Sequence, residues 1–399
     1  MNKNISLVKG THDLYGNDID KFNHIIKKFY SITKKYNFQP IQTPIIEHQE
    51  LFSRSVGELT DIVSKEMYSF IDKGESLICL RPEATSGIAR FAVSNYQNGA
   101  LKLSTHGPMF RRERPQKGRY RQFNQINIEN IGERSSYTDF EIIYIASILL
   151  KEIGIKSTEY KLSLNSLGSE DDQKQYALIL KDFLSVHKKK LSENSLLRLE
   201  KNPLRILDSK DEGDKDVLKN APLLSDNLSK ESTKYFLDVK SHLKENGVEF
   251  IEESKLVRGL DYYSHTAFEF QTNEDKRQNT ILAGGRYDKL INMISTRDIP
   301  GIGWAAGVER LIDLLPNDVS YANISKKILL AVQDEKYLSS IILQKIFNSD
   351  ISHEVKINKN IKKLFSYADK NNFDFLLLIG EEENKSNSIT LKNLKKKVQ

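Results

Sequence analysis

Five arginines crowd one short stretch of this chain. Arg111, Arg112, Arg114, Arg119 and Arg121 lie within residues 107–129, GPMFRRERPQKGRYRQFNQINIE. Guanidinium groups repel one another, so gathering them is costly unless an anion sits between them. Each is permanently charged and carries five donors in a planar fork that matches phosphate oxygens. The pattern predicts a hairpin with a strand at 108–113, a connection at 114–118 and a returning strand at 119–129. Alternate side chains of a strand share a face. Arg111 and Glu113 then share one face of the first strand, and Arg119, Arg121, Phe123, Gln125 and Glu129 one face of the second. The opposite face carries Tyr120, Ile126 and Ile128, which suit a core. One surface would present arginines, a flat ring, an amide and a carboxylate, an order that could read phosphates, a base and an amino-bearing substrate. A merely solvated hairpin edge would not place Phe123 on the polar face.

Three further segments carry candidate chemistry: RGLDYY at 258–263, AGGRYD at 283–288 and GWAAGVER at 303–310. Taken singly, Arg258 is also compatible with a surface salt bridge, and Tyr262 or Tyr263 with core packing. Gly284 and Gly285 allow a close backbone approach or mark a strand-end turn. His106 and His265 sit near these segments and read as structural hydrogen-bonding groups.

The elements that must position these residues follow from periodicity. Residues 18–36 place Phe22, Ile25, Ile26, Phe29, Tyr30 and Ile32 on a helical stripe. FQPIQTPIIE at 38–47 reads as a strand, with Pro40 and Pro44 confining it to an edge or interface. Residues 67–72 and 76–81 form a hairpin about Lys73 and Gly74, and 84–95 a helix. An apolar helix at 138–153 and a strand at 161–165 follow. From about 168 to 250 the chain turns rich in Lys, Glu, Asp and Ser with helical spacing, and 209–219 reads as a charged loop. Strand character resumes at Phe250 and continues in 265–271. After about 324, strands at 327–332, 352–357, 373–379 and 388–391 alternate with helices at 335–347 and 361–371, the pattern of a small α/β domain.

The bulk properties set outer limits. The 399 residues suffice for two or three domains. Sixty Lys and Arg against 54 Asp and Glu leave +6, which permits a nucleic-acid partner without requiring one. The single Cys79 excludes an intrachain disulfide, argues against a cysteine-based zinc site and reads as a small buried hydrophobe. No signal-like start and no membrane-length apolar run is present, so a cytoplasmic location is expected.

Together the arginine hairpin, RGLDYY, AGGRYD and GWAAGVER resemble the histidyl-tRNA synthetase family of class II aminoacyl-tRNA synthetases, from about Leu7 onward. The hairpin alone would indicate only class II; RGLDYY and AGGRYD carry the narrower resemblance. It implies an α+β fold, a class II antiparallel sheet flanked by helices. The core would comprise 1–167 and 251–322, interrupted by a helical insertion at 168–250. A C-terminal α/β anticodon-binding-like domain would occupy 323–399, ending without the final helix usual in the family. The implied activity is ATP-dependent formation of histidyl-adenylate and transfer of histidine to its tRNA, with Mg²⁺ accompanying ATP, no zinc, and no membrane partner.

By the same resemblance, Arg111 and Arg258 serve the reacting α-phosphate, Glu113 and Phe123 the adenine, and Arg119 and Arg310 the outer phosphates. Glu309 would support Arg310. Glu83, Thr85, Gln125, Glu129, Tyr262, Tyr263, Gly284 and Gly285 would surround histidine. Pro44 would lie at a homodimer interface, and residues 10–14 near the site. A regulatory, histidine-sensing paralogue is the nearest rival. Such paralogues lack the C-terminal domain and lose ATP-binding arginines, whereas Arg111, Arg258 and Arg310 are all present here.

Overall fold

The computed structural model describes residues 5–58, 60–116, 118–257, 262–273, 279–321, 326–339, 341–349 and 351–395. It divides into two compact units, Met1–Tyr321 and Ala322–Gln399.

The first unit opens with α1 (Asn17–Lys35), β1 (Gln39–Pro40), β2 (Ile46–His48), α2 (Gln49–Val56), β3 (Tyr68–Ile71), β4 (Leu77–Leu80) and α3 (Thr85–Asn95). The arginine-bearing hairpin follows as β5 (Leu101–Phe110) and β6 (Gln122–Ile131), then α4 (Ser136–Ile153) and β7 (Tyr160–Ser166). Four helices come next: α5 (Glu170–Val186), α6 (Glu193–Lys201), α7 (Glu212–Leu218) and α8 (Lys230–Glu245). The unit closes with β8 (Ile251–Glu252), β9 (Ser264–Thr272), β10 (Thr280–Arg286), α9 (Leu290–Ile294), β11 (Gly301–Gly307) and α10 (Val308–Leu314).

One large sheet runs in the order β1-β5-β6-β11-β10-β9-β7-β8. Its pairs are antiparallel except β1 with β5 and β7 with β8. One face is apolar. Ile126, Ile128, Trp304, Phe268 and Phe270 pack there against Ile25 and Phe29 of α1, Ile143 and Leu149 of α4, and Val239 and Leu243 of α8. The buried spacing Ile25, Phe29, Ile32 is what a helix needs to lay one stripe on a sheet. Helix α4 is fixed at both ends: the Ser135 hydroxyl accepts from the Thr138 N–H, and Gly154 terminates it at φ 105°, a conformation that favours glycine. With helices on this face, the opposite face is left for a site.

The insertion is helical, as expected. No strand falls between Ser166 and Ile251 among the described residues. Helices α5 to α7 build a separate core around Tyr176, Leu180, Leu199 and Ile206, while α8 joins the main one. Residues 209–219 are not the expected loop. Asp211 caps α7 through the Gly213 and Asp214 N–H groups, and buried Asp214 accepts from the hydroxyls of Ser192, Ser195 and Ser209. Charged composition hid a cap and a buried carboxylate network. The strand expected at 38–47 is only β1 and β2, because Pro40 and Pro44 each lack a donor.

The second unit comprises β12 (Ile328–Val332), α11 (Ile341–Phe347), β13 (His353–Ile357), α12 (Ile361–Lys370), β14 (Phe375–Ile379), α13 (Glu381–Ser386) and β15 (Thr390–Asn393). Its sheet order is β13-β12-β14-β15, with the first three strands parallel and β15 antiparallel. Strand β12 is apolar on both faces because cores lie on both: Leu329 and Ala331 meet α12, Leu330 and Val332 meet α11. The helix expected at 335–347 divides into a 3-10 turn at Glu335–Tyr337 and α11, and α13 is an element that periodicity did not indicate.

Candidate active site

The free face of the large sheet carries a cavity of about 330 Å³. Its wall is β6, from which Phe123, Gln125, Asn127 and Glu129 all line the cavity. Its floor is made of small residues. Gln125, Asn127 and Glu129 stand in register with Gly307, Ala305 and Gly303 of β11, and Ala305 with Ala283 of β10. Large side chains on these strands (Trp304, Leu282) point to the core face instead. Alternation thus gives each strand a packing side and a ligand side.

At one end of the cavity is a buried carboxyl. Glu129 is 1% exposed, and its oxygens accept from the Thr85 hydroxyl at 2.6 Å and the Tyr287 hydroxyl at 2.5 Å. Burial raises its pKa to about 8, with nearby Glu83 adding to the rise and the two hydroxyl donations opposing it. Gly303 makes room for it: a Cβ there would stand 1.8 Å from Glu129 Oε2. Glu83 accepts from the backbone N–H groups of Thr85 and Ser86 and so caps α3 while lining the cavity. Tyr262 and Tyr263, with ring centroids 4.7 Å apart, close this end. Burial raises the Tyr262 hydroxyl well above the ordinary tyrosine range, so it remains a neutral donor.

At the other end lie the arginines. Arg111, Arg119 and Arg310 all line the cavity, and the Arg111 guanidinium lies 5.3 Å from the centre of the Phe123 ring. Arg111 donates to the Pro82 carbonyl, and Arg310 to the carbonyls of Gly118 and Thr280. Glu113 lies against Arg119. Burial lowers the Arg310 pKa, and the charges of Arg111 and Arg119 lower it further. Three cations close enough to oppose one another mark a place for a polyanion. Glu309 accepts from the Asn124 backbone and side-chain amides at 2.9 Å, which ties α10 to the start of β6 beside Arg310.

The geometry corrects several expectations. Strands β5 and β6 end at Phe110 and begin at Gln122, so Arg111, Glu113 and Arg119 reach the cavity from the connecting loop rather than by strand parity. Pro115 and Gly118 within that loop, and mutual repulsion of its arginines, favour leaving the sheet. Arg121 packs against Gly10 and does not line the cavity, whereas Tyr120 does, its ring tilted against that of His12 with centroids 4.1 Å apart. Gly284 and Gly285 are not part of the lining. A Cβ on Gly284 would meet Trp304 and Phe268 on the core face, and one on Gly285 would meet the Tyr263 ring. Their smallness serves packing. Arg258 lies outside the described residues, as does all of 258–261. His106 accepts or donates with the Tyr30 hydroxyl at 2.8 Å, and His265 is half-buried beside Tyr235, neither lining the cavity. Exposed Pro44 precedes β2, away from the lining.

Several cavity residues escaped the sequence reading, among them Asn127, Tyr287, Gly303 and Glu269. Asn127 had a visible signal, since it shares the parity of Gln125 and Glu129. Tyr287 stands inside AGGRYD, but only the fold brings its hydroxyl to a residue 158 positions away.

Comparison with known proteins agrees with this geometry. The family model described as histidyl-tRNA synthetase matches residues 10–311, and that described as anticodon binding domain matches 325–399. A histidine–tRNA ligase of Sulfurimonas denitrificans is 41% identical across 99% of this chain and 98% of its own length. One of Hydrogenovibrio crunogenus is 40% identical across 99% and 94%. Among solved structures, an apo histidyl-tRNA synthetase of S. aureus superposes with a TM-score of 0.82 at 30% identity, covering 98% of this chain and 96% of that one. The histidyl-tRNA synthetase of Nostoc sp. shares the fold, with a TM-score of 0.68 at 20% identity and 99% and 96% coverage. With both units matched and relatives aligned over nearly their full lengths, the chain belongs to the histidyl-tRNA synthetase family.

Proposed function

We propose that this chain activates L-histidine with ATP to histidyl-adenylate and transfers histidine to the 3′ end of its tRNA. The observation that carries this reading is a single wall, β6, with a buried carboxyl at one end and three arginines at the other. Histidine sits at the Glu129 end, among Glu83, Thr85, Gln125, Tyr262 and Tyr263. ATP lies with its adenine against Phe123 and Glu113 and its phosphates among Arg111, Arg119 and Arg310.

The histidine carboxylate attacks the α-phosphorus in line and pyrophosphate leaves; a tRNA terminal hydroxyl then attacks the acyl carbon and AMP leaves. Neither step needs a protein nucleophile. The chain holds the reactants in attack geometry and neutralises the equatorial charge, with Arg111 and Arg258 at the α-phosphate. Among the described residues, no group of three His, Cys, Asp or Glu side chains is gathered to hold a metal by protein ligands alone. Glu269 nevertheless offers hard oxygen donors on the cavity wall, which fits Mg²⁺ shared with the triphosphate. Bound there, Mg²⁺ would neutralise phosphate charge.

The second unit takes the anticodon end of histidine tRNA. The functional unit is a homodimer acting in the cytoplasm. The small sheet β2-β4-β3 supports the dimer: its Cys79 face packs on Phe52 and Val56, while its other face leaves Ile46 and Phe70 exposed next to Pro44 and Ile45. No helix among the described residues is long and apolar enough to cross a membrane.

Histidine-dependent exchange of labelled pyrophosphate into ATP tests the reading. A histidine-sensing protein would bind histidine and give no exchange. Arg258→Ala is expected to abolish exchange and leave histidine binding largely intact; equal loss of both would make its role structural.

A further inference from the structure

Asn127 is the least explained polar residue of the molecule's central sheet. It is 1% exposed, and neither its amide nitrogen nor its amide oxygen has a hydrogen-bond partner among the described residues. Buried amides are nearly always paired, so each exception needs a reason. Two neighbours could have supplied a partner and do not. Thr105 of β5 stands directly opposite in register, yet its hydroxyl is itself without a partner. Ala305 of β11, on the other side, has no polar side chain. By contrast Asn124, at the start of the same strand, places its amide nitrogen on Glu309.

The amide is therefore left to the cavity, which Asn127 lines between Gln125 and Glu129. Its nitrogen is the one buried side-chain N–H donor on the cavity wall, among the described residues, that has no partner. The Gln125 side-chain oxygen beside it is likewise buried and unpaired. The surrounding carboxyl oxygens of Glu83 and Glu129 are acceptors already bonded to N–H and O–H groups. A ligand that brings an acceptor atom to this point meets a donor already stripped of water.

We infer that Asn127 is a specificity contact of the amino-acid subsite, its side-chain amide donating a hydrogen bond to an acceptor atom of bound histidine. The inference rests on the assignment of histidine to this end of the cavity. Histidine offers two acceptors, a carboxylate oxygen and the bare ring nitrogen. The contact favours histidine over isosteres that cannot accept there, because the amide would then remain buried and unsatisfied. It also explains why the chain retains an amide that stabilises nothing in the free protein.

Asn127→Ala and the isosteric Asn127→Asp test this in pyrophosphate exchange, with the melting temperature of the free protein as control. In both variants the KM for histidine is expected to rise tenfold or more, with the KM for ATP within twofold of the parent. The free Asn127→Ala protein should melt no lower than the parent, since an unpaired amide has been removed. Histidinol, which lacks the carboxylate, locates the acceptor. Weakened histidinol inhibition in the variants assigns the ring nitrogen, and unchanged inhibition beside a raised histidine KM assigns the carboxylate. A histidine KM within twofold of the parent in both variants overturns the inference, as does a parallel rise of both KM values with a lowered melting temperature. Absence of exchange in the parent protein would instead sink the enzyme assignment.

Discussion

Gly303 and Glu129 face each other in register on β11 and β6, and a Cβ on Gly303 would stand 1.8 Å from Glu129 Oε2. Glycine here is a requirement of close packing, because the Glu129 carboxyl and the Ile128 carbonyl oxygen both lie where a Cβ would stand, and not of backbone conformation. Gly303→Ala must push Glu129 off its Thr85 and Tyr287 donors or shift β11. Overpacking of this kind costs about 1–3 kcal/mol. The KM for histidine should rise at least tenfold with a smaller effect on ATP. Steady-state exchange and thermal unfolding check both, and an unchanged histidine KM would show that Glu129 does not touch the amino acid.

The pH dependence of histidine binding follows from the same carboxyl. Glu129 stands at about 8 in the free protein, chiefly through burial. Histidine brings an α-ammonium, which favours the ionised carboxylate, so below pH 8 each binding event displaces a proton. Affinity should fall about fivefold from pH 8 to 7 and approach a tenfold fall per unit below that, with proton release visible by calorimetry in buffers of different ionisation enthalpy. For stability, the folded pKa lies above the ordinary carboxyl value of 4.5. The stabilising contribution is full below that value and is lost as pH rises through about 8. Glu129→Gln should flatten both profiles; a binding profile flat in the parent would refute the coupling.

Tyr287, just past the end of β10, donates its hydroxyl to Glu129 across β11. Hydrogen bonds to charged groups are worth about 1.5–3 kcal/mol. Tyr287→Phe should raise the histidine KM roughly tenfold or more and move the proton-release midpoint upward, because one donor favouring ionisation is gone. Titration of proton release against pH reads the shift directly.

Arg310 is destabilised as a cation by burial and by Arg111 and Arg119. A bound triphosphate removes that conflict. Arg310→Ala should raise the KM for ATP about 10- to 100-fold, the loss of one charge-assisted contact, and leave the histidine KM within twofold. Equal effects on both substrates would mean that its bonds to the Gly118 and Thr280 carbonyls matter more than phosphate.

Phe70 is 43% exposed on the uncovered face of β2-β4-β3, in register with Ile78 and close to Ile46. Phe70→Lys should convert the proposed dimer to monomer at micromolar concentration, measured by light scattering. A parent protein that is already monomeric would remove the dimer assignment.

Much of this protein can be read before it folds. Helix α1 follows from its apolar stripe, and β12 and β14 of the second unit follow from their unbroken apolar runs. The β6 wall follows from alternation at Phe123, Gln125 and Glu129, because side-chain direction in a strand depends only on parity. The arginines, too, announced an anion by their density alone.

What sequence by itself could not decide was anything that depends on partners far along the chain. Loop geometry, not parity, sends Arg111 and Arg119 into the cavity and turns Arg121 onto Gly10. Gly284 and Gly285 look like ligand-facing glycines in AGGRYD, but their crowding comes from the Gly303 and Thr266 carbonyl oxygens of the neighbouring strands and from Trp304, Phe268 and Tyr263. The raised pKa of Glu129 exists only because β6, α3 and β10 together exclude water from it. Periodicity is local and survives in the sequence; desolvation and close approach arise from contacts between distant segments, and only tertiary structure sets them.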